Sequence, residues 1–498
     1  MSRLEEQALA GNDDERKAGL LREGETCWRV AEAEQFAVIV DAAAYFRAAK
    51  RAILAARHSV LLIGWDFDAR NSFEPDGKTL EGPNKIGRFL TWIAKRRPEL
   101  NIYLLKWDLG MLRSLGRGET PLYMLRWMAH GNITMKLDGA HPKTAAHHMK
   151  ILVVDDAIAF CGGIDMTTGR WDTRDHLENN PARRSPFGRA LDPWHDATTC
   201  VTGPAARALG ELARDRWRRA TSETLPAPPP ITAQWPEDIA QDFASVPLGI
   251  ARTFAEHNGN PQVSEIEKAS FAIIAAAERT LYIESQYLAS RPIARALAAR
   301  LAEPDGPEIF VLNPLSADGW LEAEAMDSAR IRLLHLIAAA DRHKRFSIWH
   351  PLNAAGTPIY VHAKIMIADD RILRIGSANL NNRSMGYDSE CDLVLDARLA
   401  PDPDDTRARI LAVRNDLLAE HLGTDTGTIA DTLARTGSIR ATIAALDRPG
   451  SRRLVPLETR PLTALEKTLA ETDLVDPERP VSLRHQIGQI ARRITGRR

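Results

Sequence analysis

HMKILVVDD (His148–Asp156) and HAKIMIADD (His362–Asp370) decide how this chain of 498 residues is built. Each carries His-x-Lys-x4-Asp and reads as a buried strand running into a tight turn. On an extended strand, residues two apart share a face, so each histidine projects beside its lysine. Asp155-Asp156 and Asp369-Asp370 are turn-favouring pairs. A returning strand follows each turn, AIAFCGG in the first copy and RILRIGSAN in the second. The spacing from the aspartate to the small pair, Gly162-Gly163 or Gly376-Ser377, is the same in both. With histidine and lysine near 3% and aspartate near 7%, one such motif arises by chance about 0.03 times in a chain of this length.

Outward from the motifs, further stretches repeat in the same order. AILAARHSVLLIGW (Ala52–Trp65) aligns without gaps on AIIAAAERTLYIES (Ala272–Ser285), each the end of an amphipathic helix entering a buried strand. NIYLLKW (Asn101–Trp107) matches EIFVLNP (Glu308–Pro314), and NITMKL (Asn132–Leu137) matches RFSIWH (Arg345–His350). Ordered self-similarity of this kind marks an internal duplication. Strands alternating with helices predict an α/β architecture with a parallel or mixed sheet. The expected organisation is an N-terminal extension over 1–26, a first half over 27–220 and a proline-rich linker over 221–236. A second half over 237–446 and a C-terminal extension over 447–498 complete it. Two similar halves are expected to face each other across a shared site.

Composition narrows the class. At 44% hydrophobic and 26% charged residues, the chain reads as globular and soluble. A net charge of -1 supplies no global attraction to nucleic acid, so no nucleic-acid partner is expected. Cys27, Cys161, Cys200 and Cys391 are scattered, which argues against a disulfide framework or a zinc site and for a reducing compartment. The acidic N-terminus lacks the apolar core of a signal peptide, and the longest apolar runs are strand-sized. A cytoplasmic location is expected, peripheral on a membrane if the substrate is a lipid. The basic, weakly amphipathic SLRHQIGQIARRITGRR (Ser482–Arg498) suits contact with anionic lipid.

Two of only thirteen lysines stand in the motifs. Paired histidines and lysines fit phosphodiester chemistry. A neutral imidazole can attack phosphorus while a second, protonated imidazole donates to the leaving oxygen. Lys150 and Lys364 would neutralise the non-bridging oxygens, with Asn379 and Ser377 as further hydrogen-bond donors. Because these cations are built in, the reaction calls for no metal and no other cofactor. Glu284 and Gln286, two apart on a buried strand, are candidates to line the site, since buried polar groups need partners. Trp65, Phe67 and Trp107 read as core.

These residues resemble the phospholipase D superfamily, defined by paired HxKxxxxD motifs. GGIDMTTGRWDT (Gly162–Thr173), PWHDATTCVTGPAA (Pro193–Ala206), IESQYL (Ile283–Leu288) and GSANLNNRSMGYDSE (Gly376–Glu390) are similar to blocks of its two-motif members. The resemblance implies two α/β/α sandwich halves with the active site at their interface. It makes His148 the nucleophile that forms a phosphohistidine, and His362 the general acid. Lys150, Lys364 and Asn379 then hold the phosphate. Glu390 is expected to orient a site histidine, and Asp172 to do so from the first half, with Asp196 behind it. Asp155 and Asp369 are expected to stabilise the fold. One departure stands out: the first half has Gly163 and Asp165 where the second has Ser377 and Asn379. The implied function is a phospholipase D-like phosphodiesterase on glycerophospholipids, with water or an alcohol as acceptor. A cardiolipin-synthase-like phosphatidyltransferase and a metal-independent nuclease are the alternatives. With both half-sites in one chain, a monomer is expected.

Overall fold

Strands that are apolar at every residue must be covered on both faces. In the computed structural model, which describes residues 19–108, 127, 131–317 and 320–457, they are. The first half contributes β1 (Arg29–Val40), β2 (Ser59–Gly64), β3 (Asn101–Trp107), β4 (Ile133–Asp138), β5 (Ile151–Val154), β6 (Ile158–Gly162), β7 (Trp194–His195) and β8 (Ala197–Thr202). The second contributes β9 (Phe243–Phe254), β10 (Val263–Ser264), β11 (Thr280–Glu284), β12 (Glu308–Leu312), β13 (Phe346–Leu352), β14 (Tyr360–Val361), β15 (Ile365–Ala368), β16 (Ile372–Gly376) and β17 (Glu390–Asp396). A last strand, β18 (Arg453–Pro456), falls in the segment expected to be a C-terminal extension and adds to the edge of β13.

The duplication is written into the sheet order, β4-β3-β2-β5-β6-β8-β1 followed by β9-β17-β16-β15-β11-β12-β13-β18. The second sequence of strands repeats the first in reverse around the joint between β1 and β9. That joint is antiparallel, with Arg29 opposite Ile250 and Phe36 opposite Phe243. In each half three outer strands run parallel, β2-β3-β4 and β11-β12-β13, with β18 added antiparallel beyond β13. The halves thus share one continuous mixed sheet.

Helices cover both faces. Ala42–Ala55 and Ile86–Arg96 pack on one face of the first half, and Glu265–Ala276, Arg291–Ala302 and Trp320–Ala340 on one face of the second. On the opposite face a single apolar core runs through both halves. Leu209, Leu212 and Trp217 of helix Pro204–Thr221 belong to it, as do Ile410, Leu417 and Leu418 of helix Pro403–Leu422. The stretch 222–242 contains no helix or strand and holds all of the expected linker but Thr221, which closes helix Pro204–Thr221.

The two motif aspartates stand at equivalent turns with positive φ, 54° at Asp155 and 57° at Asp369. Each carboxylate turns back to the helix-to-strand corner of its own repeat. Asp155 accepts from the backbone N–H groups of Arg57, His58 and Ser59, at 2.6–2.7 Å. Asp369 accepts from those of Glu278, Arg279 and Thr280, at 2.8–2.9 Å. These amides lead into β2 and β11, and the carboxylate gives them partners at the corner where no strand pairing reaches them.

Candidate active site

Each motif histidine enters the site just before its strand, and each is stitched to the other half of the chain. The backbone N–H of His148 donates to the carbonyl of Ser389 at 2.9 Å, and that of His362 donates to the carbonyl of His195 at 2.8 Å. The residues following those carbonyls are Glu390 and Asp196. Their carboxylates cross over: His148 Nδ1 lies 2.9 and 3.0 Å from the Glu390 oxygens, and His362 Nδ1 lies 2.6 Å from Asp196 Oδ2. A carboxylate only accepts, so the proton sits on Nδ1 and the Nε2 lone pair of each imidazole is free. Each half therefore supplies one histidine and orients the other's.

The carboxylates are braced differently. Glu390 also accepts from Ser377 Oγ at 2.5 Å and Ser384 Oγ at 2.7 Å. Asp196, one methylene shorter, accepts from the N–H of Ala197 at 2.8 Å. A Cβ on Gly163 would fall 2.2 Å from Asp196 Oδ1, so the position that is serine in the second half must be glycine in the first.

The lysines occupy matching places. Lys150 Nζ donates to the carbonyl of His148 at 2.9 Å, and Lys364 Nζ to that of His362. Lys150 also pairs with Asp165 at 3.2 Å, which answers the departure at that position: the residue matching Asn379 is a counter-ion. Asn379 Nδ2 reaches Gln286 Oε1 at 3.3 Å, while its buried Oδ1 has no protein partner. Gln286 Nε2 in turn donates to the hydroxyls of Tyr287 and Tyr360.

Electrostatics bind the half-sites into one. Burial, then the charges of Lys150 and Lys364, hold His148 well below the usual imidazole value. Burial, then Lys364, Arg170 and Lys150, do the same to His362. Both imidazoles are thus held in the neutral form. Burial pulls Lys364 down to about 7 against the opposing charge of Asp196. It pushes Glu390 up to about 7 despite Lys150 and the two serine hydroxyls. The His148 side chain keeps 15% of its surface open, against 4% for His362.

Three expected site residues are placed elsewhere or act otherwise. Asp172 touches neither motif histidine; it binds His176 Nδ1 at 3.0 Å, Arg183 at 2.8 Å and the N–H of Trp194. Glu284 turns away to His195 at 2.8 Å, His421 at 3.0 Å and the Tyr282 hydroxyl. Ser377 braces Glu390 instead of presenting its hydroxyl to a substrate. Conversely, Trp65 is more than core: its ring lies edge-on to His148, with centroids 6.3 Å apart, and stacks on Trp107. Trp194, stacked on Tyr360 and 5.1 Å from the His362 ring, walls the other side. The signal for it was its place in PWHD, two residues before Asp196. The basic stretch Ser482–Arg498 lies outside the described residues.

A duplicated α/β protein with one composite site, two histidines and two lysines under exchanged carboxylates, is the class that fold and geometry define. Residues 271–403 match the family described as "Cardiolipin synthase, PLD-like domain". Phospholipase D1 of Schizosaccharomyces pombe is 26% identical over 56% of this chain and 27% of that protein. Phospholipase D alpha 4 of Arabidopsis thaliana is 24% identical over 67% of this chain and 58% of that protein. This chain thus spans less than two thirds of either relative. The phosphatidylserine synthase of Haemophilus influenzae Rd KW20 shares the fold, with a TM-score of 0.52 at 12% identity, covering 84% of this chain and 96% of that one. Residues 271–403 thus form a PLD-like domain, and the chain around it is similar to phospholipases D.

Proposed function

We propose that the protein is a phospholipase D-type phosphodiesterase that acts on glycerophospholipids through a phosphohistidine. The observation that carries this is the crossed pair, His148 on Glu390 and His362 on Asp196, with both lysines beside it. His148 Nε2 attacks phosphorus, and the bond to the head-group oxygen breaks as His362 gives it a proton. Burial and the neighbouring cations hold His362 neutral, so it must gain that proton as the anionic phosphodiester binds between the half-sites and raises its basicity. Lys150, Lys364 and Asn379 steady the non-bridging oxygens as charge builds on them. In the second step His362 takes a proton from water or an alcohol, whose oxygen displaces His148. Water yields phosphatidic acid; an alcohol yields a new phosphodiester.

The acceptor is open to either outcome, and the match to a cardiolipin-synthase-type domain favours testing a polyol. No helix among the described residues is long and apolar enough to cross a membrane, so the lipid would be met at a membrane surface. One chain would suffice, because it carries both half-sites. The test is to incubate the full chain with mixed phospholipids, ethanol and glycerol, and to read products by mass spectrometry. Phosphatidic acid or phosphatidylethanol supports the phosphodiesterase, and cardiolipin the phosphatidyltransferase. Absence of any lipid product while an oligonucleotide is cleaved would overturn the lipid reading.

A further inference from the structure

Four buried polar side chains from separate segments converge just behind the Asp196–His362 pair. Asp41 follows β1, His176 lies in the loop after Asp172, His195 sits on β7, and Glu420 lies near the end of helix Pro403–Leu422. All are at most 3% exposed. Glu420 Oε1 stands 2.8 Å from His195 Nδ1 and 3.1 Å from His176 Nε2. Asp41 closes the ring, its Oδ2 3.5 Å from His176 Nε2 and its Oδ1 3.5 Å from His195 Nδ1. One ligand atom from each of the four lies within 4.8 Å of the others. Four ligands at about 2.0 Å around a tetrahedral zinc ion stand roughly 3.3 Å apart, within the 2.8–3.5 Å span of these four contacts, in which Asp41 meets the two histidines through different oxygens.

Two further observations point to a ligand. Asp41 Oδ2 is fully buried yet accepts no hydrogen bond. The residue stands at the N-cap of helix Ala42–Ala55 without capping it, and only its other oxygen, Oδ1, is taken by a backbone N–H. In addition, the outward ring nitrogen of each histidine is held by a carboxylate. His176 Nδ1 meets Asp172 Oδ2 at 3.0 Å, and His195 Nε2 meets Glu284 Oε2 at 2.8 Å. Carboxylates in that position fix the tautomer and aim the other nitrogen at a metal. Arg183 and Arg174 pair with Asp172 and Glu420, leaving two acidic charges that one divalent ion would balance in place of the second proton on each imidazole.

We propose that Asp41, His176, His195 and Glu420 bind one divalent transition-metal ion, with zinc the best match to two imidazoles and two carboxylates. The site is closed by four protein ligands and is structural, so the phosphodiester steps do not pass through it. Its tie to the reaction is mechanical. The Asp196 N–H donates to Asp41 Oδ1 at 3.1 Å, and the Asp41 N–H donates to the Asp196 carbonyl at 2.8 Å. The ion would pin the segment that orients His362, and Asp172 and Glu284 would be its supports. The cysteine spacing gave no hint of this, because the ligands are histidine and carboxylate drawn from four distant segments. The inference does not depend on the identity of the substrate.

A sealed site takes up its metal on folding. The full chain is therefore produced in zinc-supplemented medium, and separately refolded from denaturant with zinc chloride, then examined by native mass spectrometry. One zinc per chain is expected. Asp41→Asn and His176→Gln should lose it while circular dichroism reports an unchanged fold. Glu284→Gln should keep the stoichiometry and bind about 10–100-fold more weakly. If the ligand variants fail to fold, refolding the wild-type chain with cobalt(II) decides, since a tetrahedral site gives intense visible bands and surface binding does not. Folded wild-type protein without zinc by either route would overturn the proposal and leave two protonated imidazoles as the balancing charges. So would full zinc retention in folded Asp41→Asn and His176→Gln.

Discussion

Glu390→Gln separates orientation from stability at the composite site. The carboxylate accepts from His148 Nδ1–H and from two serine hydroxyls. An amide can donate instead, which favours the proton on Nε2 and removes the nucleophilic lone pair. The same exchange beside a catalytic imidazole lowers kcat by about 10⁴, a barrier increase of about 5 kcal/mol. Stability should move the other way. Burial holds Glu390 at about 7 instead of its ordinary 4.5, so its ionised form costs the native state about 3 kcal/mol. Because this carboxyl's proton affinity is raised on folding, the cost is absent below pH 4.5, grows as pH rises, and is complete above about 7. Glutamine removes it, less whatever the serine hydrogen bonds lose. At pH 8 the variant should therefore gain about 1–3 kcal/mol and melt higher, and at pH 4.5 it should gain nothing. Calorimetry at both pH values, beside steady-state kinetics on a phosphodiester, gives the two readouts. Activity within tenfold of wild type, or a lower Tm at pH 8, would refute the assignment of Glu390 as a strained positioning group.

Further outcomes follow from the same geometry. His362→Ala should slow release of an alkyl alcohol by about 10²–10⁴-fold, yet far less for an activated aryl phosphodiester, whose leaving group needs no proton; equal losses would contradict an acid role. Asp196→Asn should lower kcat at least tenfold more than Asp172→Asn, measured per folded molecule, because only Asp196 touches His362. Lys364 is held at about 7, so kcat/KM should fall as pH rises through that value and the ammonium is lost. Lys364→Arg, permanently charged, should flatten that limb even if its plateau is lower.

What could be read along the chain was local. The period of two that puts His148 beside Lys150, the turn aspartates and the order of repeated strands all depend on neighbours a few residues apart. The exchanged carboxylates do not: Glu390 is 242 residues from His148, and Asp196 is 166 from His362. Asp172 was the natural choice because it follows the first motif closely, but Arg183 and His176 claim both of its oxygens. Glu284 sits on a buried strand and does need partners, and they are His195 and His421. Along the chain, Ser377 and Gly163 are simply a departure between the two halves. In space they are the difference between bracing a glutamate and making room for an aspartate.

The central claim is a covalent bond to His148. Rapid quenching of the full chain during turnover of a phospholipid, followed by peptide mapping under neutral conditions, reads it directly. An acid-labile phosphatidyl adduct on His148 in the wild-type chain, accumulating in His362→Ala when the substrate is an activated aryl ester of phosphatidic acid and absent from His148→Ala, is the predicted result. An adduct on His362, or turnover persisting in His148→Ala, would contradict the account.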